Sequence, residues 1–310
     1  MQSGRGMAFR VRDVPTLLWE ALKKFLGDGG PSMAGALSFS TIFSLPALLA
    51  LLLMLLGRVM DPQVVQDAIV GQIRNLIGPS GADQIATVIS KAREGDLDPS
   101  ITALLSLVTV MFGSTTAFAQ LQTALNKTFN VKPDPRRGEI RNFLVKRVFS
   151  FGVVIVVAFL LLVSLAVSAL LGAVMDRTAR LEGFFGAAVH TLNVVLSFAV
   201  VVALFAIMFR LLPDARTSWT DIWVGALATA TLFVGGKELI GLYLGSSNPG
   251  SAFGAAGSLV LVLAWIYYSS WIVLYGAELT RIWADRFGRG VAPERGAIEY
   301  VEQERTVAAG

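Results

Sequence analysis

Apolar residues fall along this chain in long, nearly unbroken blocks separated by short polar ones. A helix needs roughly 20 apolar residues to cross the hydrocarbon core of a bilayer. Six blocks qualify, at about 33–56, 101–119, 148–174, 191–212, 222–244 and 255–277. The second is the shortest, and the third is long enough to tilt or to extend past the lipid. The pattern predicts an all-α membrane protein with six transmembrane helices.

The segments between these blocks have patterns of their own. "PTLLWEALKKFLGDG" places Leu17, Leu18, Ala21, Leu22 and Phe25 on one helical face, with Glu20, Lys23 and Lys24 elsewhere and Gly27 as a natural stop. It reads as an interfacial helix within residues 1–32, ahead of a membrane domain at 33–288. The long connection 57–100 repeats helical spacing twice. Val64, Val65, Ala68, Ile69, Ile73, Leu76 and Ile77 come before Gly78-Pro79, and Ile85, Val88, Ile89 and Ala92 after it. This predicts a helical hairpin over 61–94, whose apolar face is covered by the bundle, by the membrane surface or by a second copy of the chain. Residues 289–310 lack sustained apolar periodicity and are expected to be disordered.

Charge sets an orientation. Nineteen Lys and Arg residues fall in the N-terminal segment, in the connections after blocks two and four, and after block six; six fall in the alternate connections. By the positive-inside bias both termini are expected to be cytoplasmic, with the hairpin outside. The composition agrees: 54% hydrophobic and 15% charged residues, where a soluble domain carries about a quarter charged. No apolar core followed by a small-residue cleavage site occurs near residue 1, so no removable signal peptide is expected. The basic run around 132–147 fits the same bias plus attraction to anionic headgroups. It has no interleaved aromatic residues, so no nucleic-acid partner is expected. Cysteine is absent, which excludes disulfides, thiolate metal sites and a cysteine nucleophile.

The candidate chemistry lies in the polar residues of the blocks. In the first, Ser38, Ser40, Thr41 and Ser44 precede Pro46, which frees the Ile42 carbonyl. Pro46 is either a hinge beside a polar cavity wall or a stable kink. In the second, Thr102, Ser106, Thr109, Gly113, Thr116 and Gln120 recur every three or four residues. Such a stripe either packs closely on another helix or lines a path for water or headgroups. Asn193 and Ser197 are the polar groups of the fourth block. Gly235, Gly236, Gly241, Gly245, Gly254 and Gly257 crowd the end of the fifth block and the start of the sixth. Lys237 and Glu238 interrupt the fifth block in its outer half. Intramembrane charges mark functional sites by default, so Lys237 is a candidate holder of a lipid phosphate or other anion, with Glu238 orienting it or exchanging a proton. The alternative is a lysine whose stem snorkels to the interface beside a glutamate satisfied in the bundle.

Four segments together resemble the YihY/BrkB family of bacterial inner-membrane proteins: "AGALSFSTIFSLPALLALL", "FGSTTAFAQLQTALNKTFNV", "PRRGEIRNFLVKR" and "LAWIYYSSWIVLYGAELT". The resemblance runs over roughly 30–285. It implies a six-helix inner-membrane fold and a role in envelope integrity. The family has also carried a ribonuclease label. With one histidine, His190, and no carboxylates at metal-ligand spacing, the chain offers nothing for phosphodiester cleavage. No catalytic residue, metal or cofactor is expected. The expected function is a transporter or flippase-like protein for a lipid or other amphipathic envelope component, with membrane lipids as partners. A non-transporting scaffold that organises envelope proteins is the alternative.

Overall fold

The computed structural model describes residues 10–42, scattered positions between 61 and 86, and residues 117–134, 184–247 and 257–300. Blocks two and three of the sequence pattern, the hairpin 61–94, and residues 301–310 fall largely or wholly outside them.

The described residues are mostly helical. Helix α1 (Val14–Gly27) follows a single 3-10 turn and has Pro15 in its first turn, where a missing N–H costs nothing. A turn through Gly29, at φ 75°, leads into helix α2 (30–42), and α3 spans 117–128. Helices α4 (Phe184–Leu211), α5 (Trp219–Ser247) and α6 (Gly257–Arg286) are the long elements. Within α4, Val194–Leu211 is an 18-residue stretch of mean hydropathy 2.6. Among the described residues it is the one helix long and apolar enough to cross a membrane by that measure.

The core joins helices α1 to α6. Phe25, Leu37, Leu125, Phe129, Phe209, Ile222 and Leu274 are buried in one cluster. Phe205, Phe233 and Trp265 form an edge-to-face chain through it, with ring centroids 5.6 and 6.1 Å apart. Helix α1 lies on α6: Leu17 and Ala21 pack with Leu279 and Ile282, and the Phe25 ring meets Trp271 edge-on at 4.5 Å. The Tyr275 hydroxyl donates to the Leu18 carbonyl (2.9 Å), and Arg286 pairs with Glu20 (3.0 Å). The expected helix is present, with Leu17, Ala21 and Phe25 of its expected apolar face buried, Leu22 half-buried and Leu18 exposed. Its other side exposes Trp19 and Leu26.

Residues 289–300 depart from the expectation of disorder. They contain strands β3 (Ala292–Pro293) and β4 (Ala297–Glu299), which pair antiparallel with β2 (Ala215–Arg216) and β1 (Val131–Pro133) respectively. Tyr300 N donates to Asn130 O (2.8 Å), Asp134 N to Gly296 O (2.9 Å) and Glu294 N to Asp214 O (2.9 Å). Lys132 stands over the Tyr300 ring at 5.0 Å. The order comes from backbone pairing with distant segments, which no local apolar period reports.

Candidate functional site

Helices α2, α3, α4 and α6 line a cavity of about 410 Å³. Each wall is one helical face: Leu37 and Thr41 from α2; Ala117, Phe118 and Leu121 from α3; Met208 from α4; and Trp265, Ile266, Ser269, Ser270 and Val273 from α6. None of these residues is charged. The volume lies within the ~300–1,000 Å³ range of small-molecule sites, which are mostly apolar with a few placed polar groups. Here the polar side chains are those of Thr41, Ser269 and Ser270, with the indole of Trp265.

The α5–α6 seam fixes the α6 wall. A Cβ on Gly225 would overlap the Thr280 side chain, and one on Gly276 would overlap Thr229. Each threonine in turn donates to the carbonyl of the glycine four residues before it, Thr229 to Gly225 and Thr280 to Gly276, both at 2.7 Å. Two Gly-x-x-x-Thr units thus face each other, glycine against threonine, in the small-residue packing that lets membrane helices approach closely. Further along, a Cβ on Gly236 would strike the Tyr268 hydroxyl, so α6 rests on bare backbone of α5 beside Ser269.

A polar layer closes the end of the bundle nearest α1. Arg281 donates to Glu278 Oε1 through Nε (3.2 Å) and Nη2 (2.8 Å), with both residues buried. Burial pushes the Glu278 carboxyl up from 4.5 to about 7; Arg281 pulls it down, nearby Asp28 raises it and Lys24 lowers it. Asn126 and Asp214 bond reciprocally, Nδ2 to Oδ2 at 2.8 Å and backbone N to Oδ1 at 2.7 Å. Asp221, buried in the first turn of α5, accepts from Arg289 N (3.1 Å). Arg210 Nη1 donates to the Thr217 carbonyl, and its guanidinium lies 5.7 Å over the Trp219 ring.

The Virulence factor BrkB family profile matches residues 21–298. The chain belongs to the BrkB family. Curated relatives of this BrkB-family chain are named UPF0761 membrane proteins. One from Pseudomonas paraeruginosa is 28% identical over 278 residues, which is 85% of this chain and 63% of the relative. One from Azotobacter vinelandii is 31% identical over 87% of this chain and 64% of the relative. In Psychromonas ingrahamii the identity is 28% over 80% of each. The BrkB-family chain thus spans a little under two thirds of the length of the first two relatives. No solved structure matches it. The BrkB match extends through the strands of residues 292–298, beyond the 30–285 expected from sequence.

Of the residues singled out in the sequence, Thr41 lines the cavity of this BrkB-family protein, and Ser40, Gln120 and Lys237 are described but are not among its lining residues. Ser40 is half-buried, with its hydroxyl on the Ala36 carbonyl (2.9 Å), and Gln120 is exposed. Lys237 is half-buried and not without a partner. The side chains of Glu238 and Asn193 lie outside the described residues, as do Ser44, Pro46, Thr102, Ser106, Thr109 and Thr116. The residues missed are Ser269 and Ser270, inside the quoted "LAWIYYSSWIV", and Gly225, Thr229, Gly276 and Thr280. The four-residue Gly-to-Thr spacing was the available signal for the seam.

Proposed function

We propose that this BrkB-family chain is a six-span protein of the bacterial cytoplasmic membrane that moves a lipid or another amphipathic envelope component across it. The uncharged, hydroxyl-bearing cavity carries the reading. A path for an amphiphile must accept hydrocarbon and neutral polar groups together, and the wall formed by Phe118, Trp265, Ser270 and Val273 offers both. Support for cytoplasmic termini comes from the polar end: Trp19, Trp219 and Trp223 are exposed there, with Lys23 5.4 Å over the Trp19 ring. Tryptophan beside basic residues is the composition of a cytoplasmic membrane–water boundary. Lys237 and Glu238 are the proposed contacts for a charged headgroup. No chemical conversion is assigned.

The test is translocation of labelled anionic phospholipid in proteoliposomes of the full chain, with wild type beside Ser269→Phe and Lys237→Leu. Translocation present in wild type and lost in folded Ser269→Phe supports a path through the cavity. Rates no higher than in empty liposomes would replace the transporter with a scaffold. The absence of cysteine makes single-cysteine labelling at 20, 75 and 300 a direct test of cytoplasmic termini and of an external connection 57–100.

A further inference from the structure

Side chains four apart share one side of a helix, which sorts α1 into four rows. Leu17, Ala21 and Phe25 form the buried row against α6. In the row of Glu20, Lys24 and Asp28 the charges are met within the protein: Glu20 pairs with Arg286 (3.0 Å), and Lys24 stands 3.9 Å from Asp28. The other two rows are largely open. Val14, Leu18 and Leu26 are exposed and Leu22 is half-buried, an apolar ridge as long as the helix. Beside it stands Trp19, 58% exposed, with the exposed Lys23 ammonium 5.4 Å over its ring. Among the described residues no carboxylate pairs with Lys23.

We infer that these two rows of α1 are a binding surface for anionic phospholipid of the cytoplasmic leaflet, with the ridge against hydrocarbon and Trp19 and Lys23 at the phosphate. This rests on the placement of α1 at a cytoplasmic membrane boundary and names the lipid class that it meets there. The expected apolar face is thereby divided. Leu17, Ala21 and Phe25 go to the bundle, while Leu18 and Leu22 join Val14 and Leu26 on the side left for lipid. A large exposed apolar surface needs an apolar cover. Tryptophan settles at headgroup depth, and a lysine stem can lie along apolar surface while its ammonium reaches the phosphates. A cation without an acid of its own is the one free to attract anionic lipid. Arg10 and Arg12, both exposed, add positive charge at the start of the helix, against one carboxylate, Asp13. A soluble anion would leave the ridge uncovered. A second copy of the chain would need roughly 20–30 residues a side for a stable interface, far more than these rows contain.

The experiment uses the full chain with Leu26→Cys carrying a nitrobenzoxadiazole dye, in vesicles of phosphatidylcholine and phosphatidylglycerol. A quenching doxyl group is placed high on the acyl chain of one lipid or the other, at the same molar share. Doxyl-phosphatidylglycerol is expected to quench the dye more than doxyl-phosphatidylcholine, by roughly twofold to fivefold, the enrichment that one cation gives at an anionic surface. Lys23→Gln should make the two lipids equal, and Lys23→Arg should keep the preference. Lys24→Gln removes a cation that already stands beside Asp28 and should leave the preference unchanged. A dye at Glu20→Cys, in the row turned to Arg286, should answer to iodide in the water instead. Leu18→Cys repeats the measurement if Leu26→Cys does not fold. Three results overturn the inference: quenching at 26 by iodide and by neither lipid; a dye shielded from all three, as a covering protein would shield it; and equal quenching by the two lipids with Lys23 in place. Translocation and the cysteine labelling at 20 and 300 do not enter this readout. The surface therefore stands if transport fails, and transport stands if position 26 shows no lipid preference.

Discussion

Gly225→Ala is the most informative single change in the α5–α6 seam. The added Cβ would overlap the Thr280 side chain and lie 3.0 Å from the Thr280 Cα. Thr280 is fully buried and bonded to Gly276 O, so its side chain cannot turn away without breaking that bond, and its backbone can only retreat with the helix. Overpacking of this kind costs about 1–3 kcal/mol. Replacing a helical glycine by alanine returns about 0.8–1.0 kcal/mol of propensity. The control is Gly235→Ala on the same helix, where nothing lies within 4 Å; it should show the propensity gain alone. The difference between the two variants, about 1–3 kcal/mol, isolates the overlap. Equilibrium unfolding in mixed micelles, followed by tryptophan fluorescence, reads it. Thr280→Gly makes room for the new methyl, so the double mutant should recover about 0.5–3 kcal/mol of coupling. Gly225→Ala behaving like Gly235→Ala, with no coupling to Thr280, would refute the seam.

Three further outcomes follow from the polar layer. The Glu278 carboxyl titrates higher in the folded chain than its ordinary 4.5, near 7. Its contribution is therefore fully present below about pH 4.5 and is lost as the pH rises through 7; melting curves between pH 5 and 8 should shift in favour of Glu278→Gln, relative to wild type, as the pH rises. At Asn126, alanine removes both reciprocal bonds to Asp214 and should cost about 1–3 kcal/mol. Asn126→Asp should unfold more easily still, because a second carboxylate then faces the first.

The long helices were legible because each depends on its own composition. The expected blocks 191–212, 222–244 and 255–277 lie within or close to α4, α5 and α6. The face of α1 was equally plain, since Leu17, Ala21 and Phe25 are spaced for one side of a helix and are its buried residues. What could not be read depends on partners. Ser269 looks like any other serine in an apolar helix until α2 and α3 are seen to leave space beside it. Strands of two and three residues carry no period, so β3 and β4 become visible only against β2 and β1. The glycine cluster from 235 to 257 is the denser sequence signal, whereas Gly225 and Gly276 are single glycines whose close contact across the seam depends on the partner helix.

The pairing of residues 292–299 with two earlier connections sets an order of manufacture. The strands at 131–133 and 215–216 leave the ribosome first and have no ladder partner until the later segment emerges. The helices can therefore adjust against one another while this end of the bundle is still unfastened. The last stretch then fastens both connections at once. A defect in residues 292–299 would act late, as a failure to finish an otherwise assembled bundle.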